Sequence, residues 1–293
     1  MKFVNPFGLA GKWYKANLHT HTTTSDGQAT PAQQVENYRN AGYGVLALTD
    51  HHKTNDVRPL TCKRMLVLSG MEYHPACPAH PGCHHLVALN LPHPFAFDAA
   101  IVDDANTCIQ AVRQAGGESF LCHPYWCGHR YDHYSYLKDI VGVEVYNSTC
   151  DKVARSAGDV DWSHLLDAGR MLTGLAVDDC HGDVDLFGGW TWLRLKSLTP
   201  AAVVHAVKTG AFYSSTGPEI RDFRVENGMV HVECSPVEFI YIAAHEWHGN
   251  RRKAEPGKAI RKFETPVPKE TPYVRAIVVG HTGRRAWTNP ILL

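Results

Sequence analysis

Short apolar runs alternate with segments of helical periodicity through the first two thirds of the chain. Residues 44–50 (GVLALTD) and 65–72 (MLVLSGME) are nearly continuous apolar runs, which are typical of strands buried on both faces. Further runs of this kind predict strands at residues 84–91, 119–124, 141–147 and 171–178.

Helical patterns separate several of these runs. Thr30-Pro31 predicts a helix start, because threonine caps the free N–H groups and proline is preset for the first turn, and Gly42 predicts its end. Thr199-Pro200 repeats the signal before a helix that ends at Gly210. Strand–helix alternation predicts parallel strands with right-handed crossovers. We therefore expect an α/β fold, with a barrel as the first choice and an open doubly wound sheet as the alternative.

The pattern changes after Gly217-Pro218. Residues 221–246 alternate with a period of two, and Asn227-Gly228 predicts a hairpin turn. Residues 249–272 are rich in Lys, Arg, Pro and Glu and predict a loop. We expect a main domain over residues 1–217 and a small β-rich C-terminal module over residues 218–293.

Composition narrows the class of protein. The 293 residues hold 29 Lys+Arg against 29 Asp+Glu, which argues against a nucleic-acid binder that relies on bulk attraction. We find neither an apolar run of about 18 residues, as a membrane helix needs, nor a signal peptide. The nine cysteines are expected to be reduced thiols in a cytoplasmic protein. Neither Cys77 with Cys83 nor Cys122 with Cys127 has the C-x2-C spacing of a structural zinc site.

The chain holds 19 histidines, and several of them stand with carboxylates where apolar runs end. In a parallel barrel these positions share one mouth, and a His-x-His pair on a strand points both rings to the same face. Burying so many titratable groups together favours bound divalent cations, and the mixed ligands suit Zn, Mn or Fe. His85 begins its run, so its direction is not predicted. The residues that follow runs are His19, His21, Asp50, His51, Glu72, His123, Asp179 and His181.

The order and spacing of these motifs resemble the PHP family, the polymerase-and-histidinol-phosphatase group of metal-dependent hydrolases. The stretches 210–220 and 284–291 are also similar to a bacterial branch that includes carbaryl-hydrolase-like metallohydrolases. The motifs are NLHTHTTTSDG (17–27), LALTDHH (46–52), SGMEYH (69–74), HHLVAL (84–89), LCHPYW (121–126) and VDDCHG (177–182).

The resemblance implies a distorted (β/α)7 barrel that holds two or three divalent metal ions. The first would be held by His19, His21, Glu72 and Asp179. Glu72 would bridge to a second, held also by His85 and His123, and the third would be held by Asp26, His51 and His181. His84 could replace His85, and Asp178 could replace Asp179. Asp50 would either orient a ligand through a hydrogen bond or cap the following turn.

The resemblance also implies metal-assisted hydrolysis, with a metal-bridging hydroxide that attacks phosphorus in a small phosphomonoester or phosphodiester. The alternative is a carboxyl ester, carbamate or amide, which the same centre could cleave. A Lys or Arg facing the metals would favour the phosphate. Glu72, Asp179 and His181 are the predicted catalytic residues, and Tyr125, His129 and Arg130 are candidate substrate contacts that could equally pack as an ordinary loop.

Two readings without catalysis stay open at this point. One is a structural metal-binding domain, and the other is a nucleic-acid binder that uses the basic segment Arg251–Lys262. Because Pro and Glu interrupt that segment, a solvated loop is the better interpretation. We expect a small-molecule substrate, or at most a short oligonucleotide, and no membrane partner. The sequence does not predict the oligomeric state.

Overall fold

The computed structural model describes residues 3–293. Thr30 and Thr199 cap their helices as predicted, and Gly210, in the left-handed region with φ of 76°, follows the second of these. No helix in this part of the chain is long and apolar enough to cross a membrane. The helices are α1 (Pro31–Asn40), α2 (Ala105–Gln114), α3 (Tyr131–Tyr134), α4 (Asp159–Asp167) and α5 (Pro200–Thr209).

A large sheet runs through the first 217 residues, and the six predicted apolar runs all contribute strands to it. Its order in this part is β9-β8-β1-β2-β3-β4-β5-β6-β7, with these bounds: β1 (Lys12–Asn17), β2 (Val45–Leu48), β3 (Leu66–Tyr73), β4 (Leu86–Leu89), β5 (Glu118–Leu121), β6 (Gly142–Asn147), β7 (Thr173–Val177), β8 (Trp190–Leu195) and β9 (Phe212–Ser215). Strands β1 to β3 are mutually parallel, as are β5 to β7, whereas β4 is antiparallel to both of its neighbours.

The α/β class is confirmed, but a closed (β/α)7 barrel is not. Among the strands of residues 3–293, β7 pairs with β6 and not with β1 or β8, so the sheet stays open. Two backbone hydrogen bonds link the segments beyond β1 and β7: Asp179 N donates to His19 O at 2.9 Å, and His21 N donates to Cys180 O at 3.0 Å. The predicted alternation of strands and helices also fails between β3 and β4. No helix separates these two strands, and they pair antiparallel.

Residues 218–293, all of which the structure describes, form eight strands and no helix. The Asn227-Gly228 turn joins β10 to β11 as predicted, with φ of 51° and 74° at its two residues. The predicted loop at 249–272 is wrong, because β13 and β14 lie within it. All five residues of β13 are exposed. Exposed edge strands often carry charged residues, so their sequence resembles that of a solvated loop. The strands are β10 (Ile220–Glu226), β11 (Met229–Val237), β12 (Phe239–Ala244), β13 (Gly249–Lys253), β14 (Ile260–Pro266), β15 (Tyr273–Val279), β16 (Arg285–Thr288) and β17 (Ile291–Leu292).

The large sheet continues past residue 217 into the C-terminal strands. β16 pairs with β9, and β15, β12 and β13 extend the sheet from there. Tyr213 and Trp13 pack into the same apolar cluster as Val232 and Ile242 of the C-terminal part. The division of the chain at residue 217 stays a prediction, and these contacts describe how closely the two parts are joined.

Candidate metal centre

The polar strand ends meet at one edge of the large sheet. His19 and His21 follow β1, His51 follows β2, Glu72 is the penultimate residue of β3, and His123 follows β5. Asp179 and His181 follow β7 in the same way. His85 joins them because β4 runs antiparallel, which brings its start to the edge where the parallel strands end. This reversal is why its direction could not be predicted from a parallel pattern.

Four side chains converge on one point. Nε2 of His19 lies 3.1 Å from Nε2 of His21. Oε2 of Glu72 lies 3.3 Å and 3.2 Å from these two nitrogens. Oδ1 of Asp179 lies 3.2 Å and 3.0 Å from them. All four side chains are buried.

Glu72 connects this group to a second one through its other oxygen. Oε1 lies 2.7 Å from Nδ1 of His85 and 3.5 Å from Nε2 of His123. Oδ2 of Asp179 is 3.7 Å from the same His123 nitrogen. The structure therefore places a carboxylate between the two histidine pairs, which is the position that a bridging ligand occupies.

A third group lies on the solvent side. Oδ2 of Asp26 is 3.4 Å from Nε2 of His51 and 3.5 Å from Nε2 of His181. The side chain of Asp26 is 53% exposed, so this group is the most accessible of the three. Nδ1 of His51 also lies 3.0 Å from Oε2 of Glu72, which joins the third group to the first.

Several carboxylates are buried at the centre, and among the described residues only imidazoles balance their negative charge. Within residues 3–293, the ion pairs of Glu72, Glu144 and Asp179 are all with histidines and none is with Lys or Arg. Burial by itself lowers the pKa of His21, but hydrogen bonds and charge from Asp179 and Glu72 outweigh it and raise the pKa to about 9. Burial raises the pKa of Asp179, and the surrounding histidines more than reverse this effect.

The ligand set fits divalent metal ions. Two ligands held about 2.1 Å from one ion lie roughly 3.0–3.4 Å apart in tetrahedral or octahedral geometry, which matches the separations around His19 and His21. Nδ1 of His21 and Oδ1 of Asp179 are buried and make no well-aligned hydrogen bond with any described residue. Such unsatisfied atoms are costly unless something else binds them. Imidazole with carboxylate suits Zn, Mn or Fe.

The sequence left two pairs of adjacent residues as alternative metal ligands, and the structure distinguishes between the members of each pair. His84 points away from the centre and its Nε2 lies 2.9 Å from the hydroxyl of Tyr136. Asp178 is also directed elsewhere, accepting hydrogen bonds from the Tyr38 hydroxyl at 2.7 Å and the Gly189 N–H at 2.9 Å. His85 and Asp179 are therefore the members of each pair that face the centre.

Asp50 is fully buried and holds the loop that carries His21 and Asp26. It accepts hydrogen bonds from the backbone N–H of Thr22 at 2.7 Å and of Ser25 at 3.1 Å. The hydroxyls of the same two residues and the amide of Asn55 also donate to it. Asp50 thus positions the loop backbone rather than a ligand ring.

The three predicted substrate contacts do not line the cavity at the centre. The segment after His123 forms a tight turn, which points Trp126 into the cavity and leaves Tyr125 and Arg130 on the surface. Arg130 pairs with Asp132 at 3.3 Å. His129 is buried on the far side of the turn, against other histidines.

Sequence reasoning missed Glu144 and His74. Oε1 of Glu144 lies 2.7 Å from Nδ1 of His19, and its Oε2 accepts from the His123 N–H at 2.8 Å. A glutamate in the middle of the apolar run VGVEVYN was the available signal. His74 comes directly after the end of β3 at Tyr73, where strand alternation no longer sets the direction of a side chain, and its Nε2 lies 3.5 Å from Oε1 of Glu72.

A cavity of about 300 Å³ opens onto the centre. Among the described residues that line it, none is Lys or Arg. The lining residues are Asp26, His51, Glu72, His85, His123, Trp126, Thr149, Cys150, Asp179 and His181.

Comparison with known proteins identifies the fold. No family model and no curated protein matches the chain. A crystal structure from Bacteroides vulgatus, of a two-domain protein containing a predicted PHP-like metal-dependent phosphoesterase, is similar over 96% of each chain, with 16% sequence identity and a TM-score of 0.55. The chain has a PHP-like fold. At this identity the similarity establishes the fold and not the reaction.

Two other solved structures are less similar. An amidohydrolase from Chromobacterium violaceum shares 15% identity over 57% of this chain and 87% of its own, with a TM-score of 0.43. A lesion-specific endonuclease from Pyrococcus furiosus shares 12% identity over 67% of this chain and 56% of its own, with a TM-score of 0.46. TM-scores of this size do not establish a common fold with either protein.

Proposed function

We propose that the chain is a metal-dependent hydrolase of the PHP family that cleaves a small phosphomonoester or phosphodiester. Imidazoles and carboxylates that follow separate strands converge on one cavity, and Glu72 lies between two histidine groups. This arrangement is the observation on which the proposal rests. A structural metal site is usually closed by its four ligands. Here the groups border an open cavity of about 300 Å³, which favours catalysis over a purely structural role.

In this proposal the three groups hold two or three divalent ions. His19, His21, Glu72 and Asp179 form the first site, and His85 and His123 join Glu72 at the second. Asp26, His51 and His181 form the third, more exposed site. Bound Mn, Zn or Fe would supply an activated water at neutral pH and would stabilise negative charge on the substrate oxygens.

The surrounding residues fix these ligands and handle protons. Glu144 holds the ring of His19 through Nδ1, which directs Nε2 to the centre. Nδ1 of His181 donates to the carbonyl oxygen of Asp179 at 2.8 Å, so the neutral ring presents a bare Nε2 toward Asp26. That nitrogen can either bind a metal or accept a proton from the reacting group, but it cannot do both at once.

The second candidate reaction is hydrolysis of an uncharged carboxyl ester, carbamate or amide. The specific observation in its favour is the lack of Lys or Arg among the residues that line the cavity, together with the exposed ring of Trp126 at the rim. A phosphate would therefore depend on the metal ions alone for its countercharge. The size of the cavity supports a small substrate, or the end of a short oligonucleotide, in either case.

Turnover measurements separate the two candidates. Chelator-treated protein is reloaded with Mn, Zn or Fe and assayed with p-nitrophenyl phosphate, bis-p-nitrophenyl phosphate, p-nitrophenyl acetate and an aryl carbamate. We expect metal-dependent cleavage of a phosphate ester that is lost in Glu72→Gln and retained in Asp161→Asn, a buried carboxylate bonded to Tyr134 outside the cavity. Cleavage of only the uncharged substrates would establish the second candidate, and no metal-dependent turnover of any substrate would contradict both.

A further inference from the structure

A second cluster of histidine and cysteine lies beside the metal centre and shares no residue with it. One potential ligand atom from each of Cys77, His84 and His129 lies within 4.8 Å of the corresponding atoms of the other two. All three residues are buried, with 4%, 0% and 6% of their surface exposed. His80 and His133 surround them, and each ring centroid lies within 5.8 Å of that of His129.

Three ring nitrogens of this cluster are not satisfied by the described protein. Nδ1 of His84 and both ring nitrogens of His129 are buried without a hydrogen-bond partner among the described residues. A neutral imidazole always carries one N–H donor and one acceptor nitrogen, so His129 leaves both unpaired. A buried polar group without a hydrogen-bond partner destabilises the folded protein. The simple packing of histidine rings therefore does not account for this arrangement.

The ring nitrogens of the cluster suit a cation. A neutral imidazole offers one nitrogen lone pair to a metal ion, and both His84 and His129 hold a nitrogen without a hydrogen-bond partner among the described residues. The thiol of Cys77 lies 3.6 Å from the carbonyl oxygen of His133 and is also oriented into the cluster.

We propose that Cys77, His84 and His129 bind a structural Zn²⁺ ion. Thiolate with imidazole is a ligand set typical of structural zinc sites. His80 is not counted as a ligand, because its Nδ1 accepts from the Gly82 N–H at 3.0 Å, and a neutral ring then carries its proton on Nε2. We refer to Cys77, His84 and His129 as the Cys-His site.

The position of the Cys-His site gives it a role. Cys77 and His84 belong to the segment between β3 and β4, whereas His129 belongs to the segment after β5. Each segment also carries side chains of the metal centre: His85 follows His84 directly, and His123 and Trp126 precede His129. A zinc ion would therefore tie the two segments together and hold His85 and His123 in place. Sequence spacing missed the site because its single cysteine lacks a C-x2-C partner.

Cobalt substitution tests the proposal, because a thiolate bound to Co²⁺ gives a near-ultraviolet charge-transfer absorption that imidazole and carboxylate ligands do not give. The probe is Co²⁺ alone, added to the chelator-treated full chain. The required control is Cys127→Ala, since Cys127 Sγ lies 3.5 Å from Nδ1 of His123 at the metal centre. Cys77→Ser and His129→Gln are the test variants, with circular dichroism to verify that they fold.

We expect the charge-transfer band in the wild type, in Cys127→Ala and in Glu72→Gln, and its loss in Cys77→Ser. We also expect the zinc content of purified Cys77→Ser and His129→Gln to fall by one equivalent per chain relative to Cys127→Ala. A wild-type protein that binds Co²⁺ without the band would overturn the proposal, and this result does not depend on the folding of any variant. A band that disappears in Cys127→Ala and persists in Cys77→Ser would overturn it as well. Because Glu72→Gln disables only the metal centre, failure of the proposed hydrolase function and failure of the Cys-His site are distinguishable.

Discussion

Nε2 of His19 and Nε2 of His21 face each other at 3.1 Å in a buried pocket that two carboxylate oxygens also enter. Two imidazole nitrogens at this distance share either a proton or a cation, because two bare lone pairs would repel each other. The carboxylates favour a positive charge at that point. A metal ion that binds at this point must therefore displace a proton.

Metal affinity should rise with pH. The pKa of His21 is raised to about 9, so the metal-free protein keeps a proton on this ring at pH 7, and a metal ion must displace it. For each proton that the metal ion displaces, the apparent association constant of the metal rises about tenfold per pH unit. The pKa of Asp179 is lowered, so this carboxylate is already ionised and adds nothing to the pH dependence of metal affinity. Chelator competition with Mn²⁺ should show affinity increasing from about pH 6.5 toward pH 9, whereas affinity independent of pH would contradict the prediction.

Removing the charge of Glu144 should weaken the metal centre without removing a ligand. Glu144→Gln replaces the charged acceptor of the His19 Nδ1–H with a neutral amide, which weakens the hydrogen bond that orients the ring. Losses of about 10–100-fold in metal affinity or activity are typical for such outer partners. Titration with metal, alongside Asp161→Asn as the buried carboxylate control, measures the effect. Equal affinities in the two variants would mean that Glu144 does not position His19.

The exposed aromatic residues at the rim should differ in their effect on substrate binding. Trp126 lines the cavity and its ring lies 5.1 Å from that of His123, centroid to centroid. Tyr125 is exposed to a similar degree, but its ring packs against Arg155 outside the cavity. Trp126→Ala should raise KM for aryl substrates several-fold, and Tyr125→Ala should leave it nearly unchanged. The reverse result would restore Tyr125 as the substrate contact.

The fold should be sensitive to a methyl group added at Gly174 in β7. A Cβ at this position would lie 2.7 Å from ring atoms of Trp162, which is fully buried in α4. Overpacking of this kind costs about 1–3 kcal/mol of unfolding free energy. Urea denaturation of Gly174→Ala measures it. Gly8→Ala is the matched control, because an added Cβ there meets nothing within 4 Å, and its stability should equal that of the wild type.

The sequence predicted the strands and the capped helices because those signals are local. Thr30 and Thr199 act through neighbouring backbone N–H groups, and the apolar runs reflect burial of whole strands. The reversal of β4 and the open edge at β7 depend on pairing between distant segments, which a periodicity cannot register. β13 was missed because a charged edge strand and a solvated loop have the same composition.

The candidate metal centre was predictable where ligands follow regular strands, and less so where the chain turns. His19, His51 and Asp179 follow strands that enter the centre from the expected direction. His74 and Trp126 lie in turns, where alternation no longer determines the direction of a side chain. The cluster around His129 could not be predicted, because Cys77 and His84 lie in one segment and His129 lies 45 or more residues further along the chain, and the three residues share no spacing motif.

Anomalous X-ray diffraction from crystals soaked in Mn²⁺ or Zn²⁺, collected at the absorption edge of the metal, shows directly whether the centre binds metal ions. We expect a peak between His19, His21, Glu72 and Asp179, and a second beside His85 and His123 that shares Glu72. Ordered side chains at all of these positions with no anomalous peak among them would show that the centre does not bind metal.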